Sequence, residues 1–250
     1  MSGHSRWSQI KRKKGKADVQ RGKLFSKILR EITVAAKNGG GDPKANMRLK
    51  AAIESAREAN MPQDNIKRAI QKGTGELPGE SYEEITYEGY APGGVAVLVQ
   101  VVTDNRNRTG PEMRHVFEKH GGNMGSSGAV AWMFERTGLI QVDAEKIAED
   151  DLFARALDAG ATDMRRAEKA FEITTAPAEM DAVREALTKA GVPVLEAQVT
   201  FVPKSTVRVE SKDAASVLRL IEALEELDDV HSVYANYDIP DEVLEAIAAA

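Results

Sequence analysis

The feature that most constrains this chain is a change of hydrophobic period at Glu76-Leu77-Pro78-Gly79. Before this break, apolar residues recur at helical spacing; after it, they alternate or run together as strands do. The linker marks a domain boundary, and 250 residues leave room for two or three compact units.

Upstream of the break, Gln20 to Lys37 fits one helix. At about 100° per residue, Leu24, Phe25, Ile28, Leu29, Ile32, Ala35 and Ala36 form a broad apolar face, and Lys23, Lys27, Arg30 and Lys37 line the opposite side. Asn38-Gly39-Gly40-Gly41 stops this helix. Asp42 as N-cap and Pro43 in the first turn start a second, which turns Met47, Ala51, Ala52, Ile53, Ala56 and Ala59 inward. A break at Asn60-Met61 precedes Pro62 and a third helix carrying Ile66, Ala69 and Ile70, stopped by Lys72-Gly73-Thr74-Gly75.

Downstream, Tyr82–Tyr90 and Val95–Thr103 are strands joined at Ala91-Pro92-Gly93-Gly94, a hairpin signal. Thr109 with Glu112 forms a capping box that predicts a helix from Gly110 to His120, and Ala129–Phe134 reads as a third strand. Residues 138–201 then read β, α, β, α, β, and 206–236 read strand, helix, strand. Each βαβ half needs a partner to close a two-layer sandwich. The expectation is therefore an α+β chain with a basic arm and three-helix domain at 1–78 and a discontinuous α/β domain at 79–135 with 205–240. An inserted α/β domain at 136–204 and a C-terminal tail at 241–250 complete it.

Charge is as segregated as periodicity. Residues 1–30 hold ten Lys or Arg against the single acid Asp18, and residues 1–75 hold 18 against 6. The remainder holds 16 against 33, for a net charge of −5 overall. A basic end on an acidic body suggests a polyanion partner for that end and leaves the acidic α/β domains as a surface for a protein partner. The candidate contacts are Arg6, Trp7, Lys11, Arg12, Lys13, Lys14 and Lys16 in the arm, and Arg21, Lys23, Lys27 and Arg30 along the first helix. The cations would meet phosphates with a steep dependence on salt, and Trp7 would stack on a base or pin the arm to the body. Arg106 and Arg108, in a polar loop before a helix, form a second candidate surface; the competing reading is a loop held by its own side-chain hydrogen bonds.

Other chemistry finds little support. There is no Cys, which fits a reducing compartment, and no apolar run approaches a membrane span. The basic start lacks a following apolar region, so the expected location is the cytoplasm. The four histidines sit in no metal-ligand or triad spacing, the glycine loops at 92–94 and 121–128 match no phosphate-binding motif, and the acids from Glu222 to Asp229 read as a solvated helix end. The expectation is no catalytic residue, no metal, no cofactor and no membrane partner.

Several stretches resemble the YebC/PmpR family of bacterial regulatory proteins: Gly3-His4-Ser5-Arg6-Trp7, Arg21-Gly22-Lys23, Asn60-Met61-Pro62 with Asp64-Asn65-Ile66, and Lys72-Gly73-Thr74-Gly75. Tyr87-Glu88-Gly89-Tyr90, Thr103-Asp104-Asn105-Arg106-Asn107-Arg108-Thr109 and Trp132-Met133-Phe134 continue the likeness. Arg6 stands where Lys is expected, and Ala129 where Ser is usual. The resemblance implies an N-terminal three-helix domain followed by two ferredoxin-like α/β sandwich domains, and a non-enzymatic, DNA-binding transcriptional regulator of double-stranded DNA. It equally implies the alternative of a ribosome-associated translation factor on rRNA or tRNA that assists elongation at proline-rich stalls, since mitochondrial relatives are translational activators. The residues themselves do not separate DNA from RNA.

Overall fold

The structure, a computed structural model, describes residues 17–167 and 170–249. Their contacts form two compact units, one of residues 132–206 and one of the described residues on either side of it. The architecture is α+β, as the sequence predicts, with a helical region followed by antiparallel sheets that carry helices.

The helical region holds α1 (Ala17–Gly39), α2 (Met47–Glu58) and α3 (Gln63–Thr74). Their apolar faces meet in a core of Ile32, Leu49, Ile53, Ala56, Met61 and Ile66. The N-cap of α2 is Asn46, not the expected Asp42. Its side-chain oxygen accepts from the Leu49 N–H at 3.0 Å, and its amide donates to the carbonyls of Ala35 and Gly40 at 2.7 and 2.8 Å. An amide can cap one helix and close the end of another at once; the Asp42 carboxylate, an acceptor only, takes the Lys44 N–H instead. Asn60, with φ +58, turns the chain out of α2 in the left-handed region that Asn tolerates, and buries Met61.

In the same unit β1 (Glu83–Ala91), β2 (Val95–Thr103), β3 (Asn123–Met124) and β9 (Val230–Ala235) pair in the order β3-β1-β2-β9, all antiparallel. Helices α4 (Arg106–Lys119) and α7 (Ser211–Glu225) cover this sheet around Val97, Val99, Phe117, Leu220 and Ile221. Central β2 is apolar almost throughout because it is buried on both faces. Three local expectations change here. Helix α4 starts at Arg106 with Asn105 as N-cap, its side chain accepting from the Arg108 N–H, so Thr109 lies inside the first turn and not at the cap. The expected strand at 129–134 is a loop and a 3₁₀ turn at Ala131–Met133, the edge strand being β3. The expected C-terminal tail is instead helix α8 (Asp241–Ala249), because Leu244 is buried in the sheet core with Val243 and Ile247 packed beside it.

The second unit contains β4 (Phe134–Asp143), α5 (Glu149–Ala159), β5 (Asp163–Ala167), β6 (Ala170–Thr175), α6 (Met180–Lys189) and β7 (Val194–Pro203). Its sheet order, β5-β6-β4-β7, places each strand of a βαβ pair on either side of an antiparallel neighbour. In the first unit the two central strands form a hairpin, so the same two-layer arrangement is reached by a different connectivity. Short strands β8 (Val207–Arg208) and β10 (Tyr237–Asp238) pair in parallel in the first unit.

Gly73 lies within α3, where a Cβ would sit on the Thr33 carbonyl oxygen and 2.7 Å from the Ala36 Cβ of α1. Its role is close helix approach. Gly110 in α4 contrasts, since a Cβ there meets only the Tyr87 hydroxyl at an ordinary 3.5 Å. Gly73→Ala is therefore expected to destabilise the protein by about 1–3 kcal/mol through overpacking, and Gly110→Ala to stabilise it by up to about 1 kcal/mol through helix propensity. Chemical denaturation of both variants checks the opposite signs.

Candidate nucleic-acid interface

Of the residues expected to contact phosphate, Arg6, Trp7, Lys11, Arg12, Lys13, Lys14 and Lys16 lie outside the described residues. Arg21 lies on α1, and its side chain is also outside the description.

Lys23, Lys27 and Arg30 face the carboxyl end of α7. The Lys23 ammonium donates to the Glu226 carbonyl at 3.1 Å, Lys27 to the Glu225 carbonyl at 2.6 Å, and the Arg30 guanidinium to the Asp228 carbonyl. The last carbonyls of a helix have no partner within it and carry the negative end of its dipole. Lys27 and Lys23 supply what the end of α7 lacks, and Arg30 meets the turn that follows it. Burial pushes the Lys27 ammonium pKa down, with Glu225 and Asp228 opposing that. The ridge expected to face a polyanion thus joins α1 to the sheet layer; at the acidic end from Glu222 to Asp229 the carbonyls and the Asp229 carboxylate are internal contacts, while Glu226 and Asp228 stay exposed as the sequence predicts. Arg48 adds a second tie, pairing with Glu31 of α1 at 2.6 Å and with Glu84 of β1.

Arg108 is likewise engaged. Its guanidinium donates to Asp104 at 2.8 Å and to Asp229 at 2.7 Å. Asp229 is 6% exposed and also accepts the hydroxyl groups of Thr103 at 3.0 Å and Thr109 at 2.7 Å, with Arg30 at 3.5 Å. Burial pushes this carboxyl up, but the bonds from Arg108, Thr109 and Thr103 outweigh it and hold the pKa below the usual carboxylate range. The Asn-rich loop is therefore held by its own side chains at Arg108, as the competing reading has it.

Arg106 differs from Arg108. It is exposed and makes no hydrogen bond or ion pair with a described residue. It borders a cleft of about 620 Å³ whose lining includes Tyr87, Gly110, Arg114, His115 and Met124. A further exposed basic face, missed in the sequence, lies on α3: Lys67, Arg68 and Lys72 point away from buried Ile66 and Ala69 and have no polar partner among the described residues. The signal is present in the sequence, since these residues fall on the helix side opposite Ile66, Ala69 and Ile70, but the charge of the arm is denser.

Glu88 is a second buried carboxylate, accepting the N–H groups of Gly128, Val130 and Ala131, each at 2.7 Å. Burial pushes it up; the three backbone bonds prevail and leave its pKa lowered. Among the described residues no group of three or more His, Asp or Glu could hold a metal ion, and no helix is long and apolar enough to cross a membrane.

Comparison with known proteins places these features in a wider set. Residues 5–76 match the model of the TACO1/YebC protein N-terminal domain, and residues 82–237 that of the TACO1/YebC second and third domain. The chain is 58% identical over 243 residues to a probable transcriptional regulatory protein of Pelotomaculum thermopropionicum, covering 96% of this chain and 100% of that one. It is 55% identical over 250 residues to one from Syntrophus aciditrophicus, covering 100% of both. The crystal structure of a conserved hypothetical protein from Aquifex aeolicus superposes with a TM-score of 0.82 at 55% identity, covering 92% of this chain and 95% of that one.

A carboxyl whose folded pKa is depressed stabilises the fold above its unfolded pKa, and the benefit fades as pH falls through the folded value. Asp229→Asn is expected to cost about 2 kcal/mol at pH 7. The gap to the native chain should begin to narrow as pH drops below about 4, where the unfolded carboxyl takes up a proton, and should close as pH falls through the lower folded value of Asp229. Urea titrations of both proteins between neutral and acid pH check this.

Proposed function

The chain belongs to the TACO1/YebC family, and on that premise we propose that it is a non-enzymatic, cytoplasmic, nucleic-acid-binding regulator that acts on transcription through duplex DNA. The observation that carries this reading is the division among the cations of the helical region. Lys23, Lys27 and Arg30 on α1 are bonded to the end of α7 and the turn after it, whereas Lys67, Arg68 and Lys72 on α3 stand exposed with no polar partner among the described residues. An exposed, unpaired basic face can accept phosphates without first breaking an internal ion pair. The relatives named probable transcriptional regulatory proteins support the regulatory part, and the strongly basic stretch from Arg6 to Lys16 supplies further cations on the same side of the sequence. The remaining α/β parts serve in this reading as the body that positions the basic region and offers an acidic face to a protein partner.

The α3 face holds Lys67, Gln71 and Arg68 with Asp64 among them, a set weighted toward phosphate contact over base reading. Binding is expected to be strongly salt-dependent. The triple variant Lys67→Ala/Arg68→Ala/Lys72→Ala should lose affinity and flatten the salt slope by about one per phosphate contact removed. Lys11→Ala/Lys13→Ala/Lys14→Ala should do the same, whereas Lys27→Ala should alter thermal stability with little change in slope. Fluorescence anisotropy against duplex DNA at several salt concentrations measures these outcomes. Equal slopes for all variants would sink the assignment of the surface. Co-sedimentation with ribosomal particles at moderate salt, without affinity for duplex DNA, would replace the transcriptional reading by the translational one.

A further inference from the structure

The cleft beside α4 has a construction that the proposed phosphate surface does not explain. Arg106, Gly110 and Arg114 succeed one another at intervals of four, so they share one face of α4. The two arginines stand about 12 Å apart along the axis, with Gly110 between them on that face and Pro111 beside it in the lining. Tyr87 of β1 lies under that gap, its hydroxyl 3.5 Å from where a Gly110 Cβ would be, and Met124 of β3 completes an apolar floor. His115 and Asn107 border the same space, with Glu118 the one acid in the lining.

Both arginines are exposed and have no hydrogen bond or ion pair with a described residue, although Glu118 stands one helical turn from Arg114. The same helix thus holds contrasting cations: Arg108 is held by Asp104 and Asp229, and Arg106 and Arg114 have no such partner among the described residues. Side chains from β1, β3 and α4 together make a cleft with a semi-apolar floor and two cationic ends. We propose that it is a nucleotide site, in which an unpaired nucleotide lays its base toward Tyr87 and Met124 and is held through phosphate by Arg106 and Arg114. The planar fork of arginine suits phosphate oxygens, and an aromatic floor suits a base of any sequence. The nucleotide can belong to a single strand or be free; in its strand form the site rests on the nucleic-acid reading above.

The test uses the full chain with two probes, a labelled single strand of about ten nucleotides and free adenosine monophosphate. Arg106→Ala and Arg114→Ala should each weaken the strand about tenfold, as expected for loss of one charge-assisted contact, without lowering the thermal midpoint. Adenosine monophosphate should shift the backbone amide resonances of Arg106, Gly110 and Arg114 in the native chain. Undiminished strand affinity in both variants, with no amide shifts at these residues, overturns the site. Strand binding lost only in the Lys67/Arg68/Lys72 variant overturns the site and keeps the nucleic-acid reading. Amide shifts at the cleft in a chain that binds no strand support a free-nucleotide site and count against that reading.

Discussion

The buried Asp229 carboxylate is the interaction on which the larger unit depends. Removing a charge from water is costly unless partners replace the lost hydration, and Asp229 draws those partners from separate parts of the chain: Thr103 at the end of β2, Arg108 and Thr109 in the first turn of α4, and Arg30 of α1. Its own carbonyl also accepts the Val102 N–H at 2.8 Å. The start of α4 and the approach to β9 are more than a hundred residues apart in sequence, yet one side chain fixes both against the same strand. Were this carboxylate unpaired, the sheet, the α4 N-terminus and the α1 contact would lose their common reference together.

This network separates structural cations from available ones. Thr103, Asp104, Asn105, Arg108 and Thr109 belong to a conspicuously polar stretch, and every one of them is used in holding that stretch, at Asp229, as the cap of α4 or, for Asp104, in pairing Arg108. Glu88 acts in parallel, gathering three backbone donors from the loop that precedes Trp132, while its neighbour Gly89 lets β1 pass close to the Asn123 carbonyl and the Phe117 ring. Motifs that look like binding chemistry in one dimension are here the fastenings of the fold. What is left for a ligand is what those fastenings do not consume.

Much of the fold was legible in the sequence because periodicity is a local signal. Helices α1 to α3, the β1–β2 hairpin and the alternation of strands and helices in residues 138–201 all follow from spacing and from Gly or Pro breaks. The misses share a cause. Asn46, not Asp42, caps α2 because only an amide can also donate to the carbonyls that end α1; β3 is too short to carry a period; and α8 exists because Leu244 finds an apolar core that its own segment does not predict. For the candidate site, Arg106 and Arg108 were singled out together, and only tertiary partners distinguish them. The basic side of α1 is legible as a face, but its partner is not: periodicity points it at a polyanion, and a helix end far away in sequence leaves no local trace.

The same seam shapes where a polyanion can bind. Lys23, Lys27 and Arg30 are matched to the carbonyls and carboxylates at the end of α7, and a phosphate strand laid there would meet Asp228 and neighbouring acids as well as the cations. Like-charge repulsion in partly desolvated surroundings is stronger than in water, so the strand would have to displace the acids before gaining any contact, and α1 would come away from the sheet layer as it did so. At α3 and in the Arg106–Arg114 cleft Asp64 and Glu118 stand nearby, but no ion pair with a described residue has to be broken first. Charge density alone favours α1; the distinction between paired and unpaired charge favours the other two.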